Sequence, residues 1–522
     1  MKAMTSGRFK HALSGFSIEH VWCLTTLAGI FVFLSTHPIR PQDFWWHIKA
    51  GQEIAATGHI PSVDSFSFTV AGQAYPSYQI YWLMELTLYS VYALGGGALV
   101  VFFHSLIVTT AYGLVLWLCH WLSSSWRVAA LCTLFAAALG LNDWNVRPQA
   151  VTFLLGAVLL WVVYYGRGVN TAGARRSLRP WWLVPVFGSV VVWVNSHGSF
   201  PIGLAILAIW LADEMWQVLK ARLGGEGWGR VRCLLQPAMA LAVALLACLI
   251  NPRGADVIIY LDTMGGSSVV QNLVPEWMPP SFDSLHGGLF LVALLLSAAV
   301  LALSSRRPSL FQIVTFLSFA ILGLRTLRGV IWFGIVMAPI LAVHLPTLAE
   351  QARLMIQRPI GQRLADSKVV LNYVFAGLVL VGVLISLPWF KGGLGLPEEK
   401  TGVISSETPV EATRFLLQEG LPGPLFHHIS FGSYLTWAAQ PAYPVFVDPR
   451  IELYPPEIWQ DYMEISAGWC DWEARLDGYG INTLMLNPRA QRSLIEAAGE
   501  SPHWRLVYED ASAVLFTRES WR

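Results

Sequence analysis

Long apolar runs dominate this chain and leave it few folds to choose from. They recur near residues 18–37, 98–122, 127–142, 149–166, 181–196, 199–219, 232–250, 287–304, 309–324, 329–346 and 368–389. A helix needs roughly 20 apolar residues to cross a hydrocarbon core of about 30 Å. Only 13% of the 522 residues are charged, and 55% are hydrophobic. A soluble domain carries about twice that share of charge, so most of this chain belongs in lipid. The expected fold class is a polytopic α-helical membrane protein of about 11 transmembrane helices, followed by a C-terminal extracytoplasmic α/β domain.

One further run, "YQIYWLMELTLYSVYAL" (78–94), is ambiguous, because Glu85 sits in its middle and "GGG" (95–97) cuts it from the next run. Cytoplasmic loops carry the excess of Lys and Arg, and this bias decides the case. If 78–94 lies in the interface, "GRGVNTAGARRSLRP", "KARLGGEGWGRVR", "SSRRPS" and "EQARLMIQRPIGQR" all fall on the cytoplasmic side with the N-terminus. If it crosses, they land outside. The first arrangement puts the N-terminus in and the C-terminal domain out, in an inner (cytoplasmic) membrane. Lys2, Arg8 and Lys10 before the first run, with no small-residue cleavage site after it, read as a retained signal anchor.

The same arrangement gathers the unexplained polar clusters outside: "HPIRPQDFWWHIKAG", "DWNVRPQ", "NSHGS", "NPRGADV" and "RTLR". Polar groups at span ends are costly unless they are paired or line a wet cavity. A net charge of +1 gives no nucleic-acid signature, and no basic run suggests one. Five of the six cysteines lie in apolar segments, and no spacing suggests a metal site or disulfide.

Three domains are expected: 1–390 in the membrane with a long first external loop at 38–97, a linker at 391–404, and the α/β unit at 405–522. In the last, "GPLFHH", "YPVFVDPR", "NTLMLNP", "WRLVYE" and "SAVLFTR" read as strands, separated by helical spacing in "VEATRFLLQEG", "PEIWQDYMEIS" and "AQRSLIEAAGE". "VFVDPRIELY" concentrates Asp448, Arg450 and Glu452 past a strand end, and a salt-bridged turn is the plain reading of it.

The first loop carries the candidate chemistry. Asp43 follows the first span closely, with Arg40 three residues before it and His47 four after. On a helix the three share a face, and cationic neighbours keep an acid ionised. Trp45 and Trp46 suit a headgroup-level anchor, and an interfacial helix with a Trp belt is the bland reading of the whole stretch. Asp64 is a second acid on the loop. Arg147, Arg253, Arg325 and Arg328 come from distant loops on the same side, and the last two, one turn apart, suit a phosphate. Asn195 and His197 either line the same space or cap a helix end. Together these residues suit an anionic, lipid-linked substrate.

The N-terminal anchor, the acid opening a long first loop, the interfacial helix, the span number and the external α/β domain resemble the GT-C class of membrane glycosyltransferases. The likeness is specific in "DFWWHIKAGQEIAATGHIPSVDSFSFT" and looser in "WVNSHGSF" and "FVDPRIELY". It implies an enzyme that moves a sugar from a polyprenyl-phosphate carrier to a glycan, lipid or protein acceptor on the outer face. It also implies Asp43 as general base or metal-binding residue and the arginines on the leaving phosphate. No Asp-x-Asp or Glu-Asp pair stands beside Asp43, so a divalent cation (Mg or Mn) is not fixed by the sequence. No "WWDYG" occurs in the C-terminal part, which argues against transfer to asparagine. The alternatives are a non-catalytic GT-C-like subunit of a polysaccharide machine and a lipid-linked glycan transporter.

Overall fold

The computed structural model describes residues 16–168, 180–225, 228–259, 274–356 and 369–519. The basic N-terminal residues, most of the loop carrying "ARRSLR" and the later part of "EQARLMIQRPIGQR" lie outside them. Helices occupy each expected run: α1 (Ile18–Ser35), α2 (Phe44–Thr57), α3 (Tyr78–Ser123), α4 (Trp126–Gly140), α5 (Ala150–Gly166), α6 (Leu183–Val194), α7 (Pro201–Leu223), α8 (Leu235–Cys248), α9 (Leu285–Leu303), α10 (Leu310–Arg325), α11 (Leu327–Ile356) and α12 (Val369–Ser386). Of these twelve, only α2 falls outside the apolar runs. Among the described residues six helices are long and apolar enough to cross a membrane, and five more are apolar but shorter.

The "GGG" break is real. α3 is two helices joined across Gly95 and Gly96, and Gly96 has φ +63°, where a side chain would be strained. Residues 78–94 are thus a separate rod packed on α2. The two helices meet closely at Gly51, where an added Cβ would stand 2.1 Å from the Glu85 carbonyl oxygen. Only glycine fits that contact.

α11 is the central helix: 89% of its apolar window is buried, against 22–50% for the other five long helices. Outer helices show the converse pattern. Leu295 and Leu296 on α9, and Val374, Leu378 and Val381 on α12, are exposed, as a lipid-facing perimeter requires. The starts of α5, α7 and α11 and the end of α10 share one end of the bundle. Arg167, Lys220, Arg222 and Arg306 lie at the other.

The C-terminal unit holds a four-stranded sheet of β1 (Leu425–His427), β2 (Thr483–Leu486), β3 (Trp504–Glu509) and β4 (Val514–Arg518), in the order β1-β2-β4-β3. β1 and β2 are parallel, Leu425 opposite Thr483, and the other pairs are antiparallel. "YPVFVDPR" forms no strand of that sheet. Val445 instead makes an isolated parallel bridge with Ser67 of the first loop, because its backbone is spent on joining the two regions.

That junction overturns the reading of the tryptophans. Trp45 and Trp46 are 1% and 3% exposed, so neither reaches a headgroup. Trp45 meets Tyr434 edge-on at 5.0 Å, and Trp46 packs with Phe426, Phe446 and Tyr454 in a core shared by the first loop and the C-terminal unit. Burial of large aromatic area against the neighbouring unit outweighs their interfacial preference. Ile39 is tied to the linker by backbone bonds to Val403 (2.9 Å) and from Ser405 (2.8 Å).

Candidate active site

Beneath the C-terminal unit, at the loop-rich end of the bundle, lies a cavity of about 490 Å³. Arg40, Asp43, His47, Arg147, His197 and Arg328 line it, brought together from four separate stretches of chain. Arg147 is the hub. Its Nε is 2.9 Å from Asp43 Oδ2, its Nη1 donates to both oxygens of Glu276 (2.6 and 2.7 Å), and its Nη2 donates to Gln42 Oε1 (3.2 Å). Arg328 grips the same Glu276 Oε2 through Nε (2.9 Å) and Nη2 (2.6 Å). Two guanidinium groups are therefore held around one carboxylate. Burial alone would raise the Glu276 carboxyl, but Arg147 and then Arg328 outweigh it and hold it down at about 2.

Asp43 is the residue just before α2, so the helix begins at Phe44 and Arg40 lies outside it. The shared helical face expected for Arg40, Asp43 and His47 does not form. Burial pushes the Asp43 carboxyl up despite Arg147, the opposite direction to the one its cationic neighbours alone would give. His47 does not assist, because burial pushes its imidazole well below its ordinary value and keeps it neutral. Its Nδ1 pairs with Glu85 Oε1 at 3.0 Å, and Glu85 is sealed from solvent. His197 is driven down to about 3, by burial and then by Arg328 and Arg147.

Four sequence candidates do not reach the cavity. Asp64 is fully committed: its carboxylate accepts from Arg450 Nη1 (2.6 Å), the Phe66 amide (3.2 Å) and the Ser67 amide (3.0 Å). Asn195 is a pin, accepting from Trp82 Nε1 (2.8 Å) and donating to Val191 O (2.8 Å) and Ile250 O (2.7 Å). Arg253 donates to Gln79 Oε1 (3.3 Å). Arg325 is exposed: Thr326 is extended (φ −143°, ψ 138°), so Arg325 ends α10 while Arg328 lies in the first turn of α11. The expected one-turn pair is broken by that residue.

Sequence reasoning missed Glu276, whose signal was hidden in the long 251–286 stretch. It also passed over Asp143 and Gln149, although both stand in the quoted "DWNVRPQ". Gln149 Nε2 donates to Asp143 Oδ1 (2.6 Å). Asp143 is raised to about 6 by burial and then by Glu276. Glu452, in the third quoted tail, lines the cavity and accepts from Tyr75 OH (2.7 Å) and Ser77 Oγ (3.1 Å).

A second cavity of about 330 Å³ adjoins the first, sharing Tyr81, Gln149, His197, Trp277 and Arg328 with it. Its remaining walls include Phe153, Ile202, Leu322 and Trp332, so it is apolar where the first is polar. Arg328 stands at their junction.

No family model matches the chain, and no curated protein is similar to it in sequence. Solved structures are another matter. The archaeal oligosaccharyltransferase AglB from Archaeoglobus fulgidus, in complex with an inhibitory peptide and a dolichol-phosphate, superposes with a TM-score of 0.54 at 11% identity. The match covers 96% of this chain and 74% of AglB. ArnT from Cupriavidus metallidurans in the apo state gives 0.52 at 14% identity, over 94% of this chain and 96% of ArnT. The fold is GT-C.

Within this GT-C frame the acids among the described residues do not assemble a cation site. Among the described residues no three His, Cys, Asp or Glu side chains come together as ligands. Asp43 and Glu276 are answered by arginines and Asp143 by an amide. The described residues do not fit a divalent ion.

Proposed function

We propose that this chain is a multi-pass membrane glycosyltransferase that moves a sugar from a polyprenyl-phosphate carrier to an acceptor hydroxyl on the extracytoplasmic face. The observation that carries this reading is the junction of a polar and an apolar cavity at Arg328, beside Arg147. A lipid-phospho-sugar has that same sequence of chemistries: isoprene for the apolar walls, phosphate for the guanidiniums, sugar for the polar chamber. The dolichol-phosphate bound by AglB is a lipid phosphate of that kind. The N-terminus is cytoplasmic in this reading, with the basic helix ends, and the membrane is the inner one.

Asp43 is the base. Its raised pKa brings it nearer to working pH, which favours proton transfer over permanent ionisation. The acceptor O–H proton passes to Asp43, the acceptor oxygen bonds to the anomeric carbon, and the bond from that carbon to the phosphate oxygen breaks. The electron pair leaves on the phosphate. Arg147 and Arg328 stabilise the charge that develops there, as donors already fixed in place before the reaction. The acceptor remains a glycan, lipid or protein hydroxyl, and its class follows from assay.

Asp43→Asn tests the reading in reconstituted membranes supplied with polyprenyl-phospho-sugar. Loss of a general base costs about 10²–10⁴ in rate, so transfer should collapse while the protein still inserts and folds. Wild-type turnover by this variant would remove Asp43 from the mechanism. It would also revive a non-catalytic subunit or a transporter built on the same fold.

A further inference from the structure

Glu276 is an acid in the place where the proposed substrate needs a phosphate. It sits on the short turn Pro275–Trp277, and its two oxygens receive four bonds of 2.6–2.9 Å from Arg147 and Arg328. That is a bidentate carboxylate clamp, the geometry in which guanidinium groups also take phosphate. Three nitrogens of the two guanidiniums converge on these oxygens, so a phosphate cannot use them until Glu276 lets go.

The surroundings allow it to let go. The Glu276 side chain is 20% exposed and that of Arg328 is 29%, so the clamp borders the cavity. Its backbone is fixed, with Trp277 N bonded to Val274 O (3.0 Å), Met278 N to Pro275 O (3.1 Å) and Leu327 N to Met278 O (2.9 Å). The Arg328 guanidinium also lies 5.6 Å over the Trp277 ring. A side-chain rotation therefore frees both arginines without moving the turn. Acid does not trigger it at working pH, because the two arginines keep Glu276 ionised down to about 2. One anion has to replace another.

We propose that Glu276 is a built-in competitor for the phosphate of the lipid-linked donor, occupying the seat between Arg147 and Arg328 until that phosphate displaces it. This rests on the reading of the two arginines as the phosphate site. The consequence is selectivity. A neutral lipid cannot open the seat, and a weak anion does not repay the loss of four charge-assisted bonds. Without Glu276 the empty seat holds two like charges and binds phosphate more avidly and with less discrimination.

The test is titration of the full-length protein in nanodiscs with undecaprenyl phosphate and, separately, with inorganic phosphate, followed by tryptophan fluorescence. Trp277 under Arg328 is a reporter within the seat. Glu276→Gln should tighten undecaprenyl phosphate about tenfold or more, one ion pair's worth at the protein surface, and should make inorganic phosphate binding measurable. Glu276→Asp, one methylene short of spanning both arginines, should fall between it and the wild type. Weaker or unchanged binding in both variants, with melting temperatures at the wild-type value, overturns the proposal and makes Glu276 a brace that positions the arginines. Arg147→Gln and Arg328→Gln address the underlying reading. If they leave wild-type affinity intact, the phosphate site itself is misplaced, whatever Glu276 does. If only the Glu276 variants disagree, the site stands and the competitor falls.

Discussion

Two arginine clusters flank the first loop, made of the same side chains and put to different ends. Around Arg450, the guanidinium binds Asp448 through Nε (3.0 and 2.9 Å), Asp64 through Nη1 (2.6 Å) and Tyr78 OH (2.7 Å). Aromatic rings of Phe66, Tyr75, Trp46 and Tyr78 surround it at 5.0–5.9 Å. Arg450, Asp64 and Asp448 side chains are all 0% exposed. Around Arg147, by contrast, the arginine, Asp43 and Glu276 keep 10%, 20% and 20% exposure onto a cavity. The first cluster has no room for anything but itself and rivets the first loop to the C-terminal unit. The second sets two arginines, Arg147 and Arg328, against Asp43 and Glu276 and has a wet side, so its partners can be exchanged. Water access, rather than residue type, separates a clamp from a site.

The largest effect comes from breaking the clamp. Arg450→Met strands two carboxylates where no solvent reaches them, and removing one partner of a buried pair costs about 3–5 kcal/mol. Asp448 and Asp64 lose their cation together, so detergent-solubilised protein should melt much earlier or fail to accumulate. Asp43→Asn, which removes one member of the wet cluster, should shift melting by about 1 kcal/mol or less, as partly exposed pairs do, while abolishing transfer. Equal losses of stability from the two variants would erase the distinction drawn here.

A middle-sized effect is expected at Gly51, which belongs to neither cluster but sets where the first loop lies. Gly51→Ala puts a Cβ 2.1 Å from a backbone oxygen, so the helices must part. Overpacking of this kind costs about 1–3 kcal/mol. The same shift should loosen the 3.0 Å contact of His47 with Glu85 across those helices. Reduced melting temperature and reduced transfer are both expected. An unchanged melt would mean the two helices are free to slide.

Much of this architecture is legible in the sequence, and the pattern of misses has a physical basis. Each apolar run became a helix, because a chain this poor in charge has few ways to satisfy its backbone in lipid. Positive-inside sorting placed Asp43, Arg147, His197 and Arg328 on one side, and these do meet. What sequence spacing could not convey was partnership across hundreds of residues. Asp64 looked like a second acid for the substrate site, yet Arg450, 386 positions later, holds it. Arg325 and Arg328 looked like a pair until the extended Thr326 parted them. Trp45 and Trp46 looked like a membrane anchor, since an aromatic belt and an aromatic domain interface use the same residues. Glu276 did not stand out, being one of four acids in the long 251–286 stretch, and its meaning is the two arginines around it.

The smallest effect tests how far the wet cluster feels its surroundings. Asp143 is raised from 3.8 to about 6, by burial and then by Glu276, with Arg328, Arg147 and the Gln149 amide opposing. Folding thus holds a proton on this acid between about pH 4 and 6. Its contribution to stability is present below the unfolded value and is lost as pH rises through about 6. Above that pH a third carboxylate competes for Arg147 and Arg328. Phosphate affinity should therefore fall a few-fold, the scale of a partly screened charge at the protein surface, as pH rises from 5 to about 7. Asp143→Asn should flatten that fall, and should also flatten the matching decline in melting temperature, without touching the clamp at Arg450. Were Asp143→Asn to keep the wild-type slope, the proton would belong to another group of the cavity, with Asp43 the first to examine, since burial raises it as well.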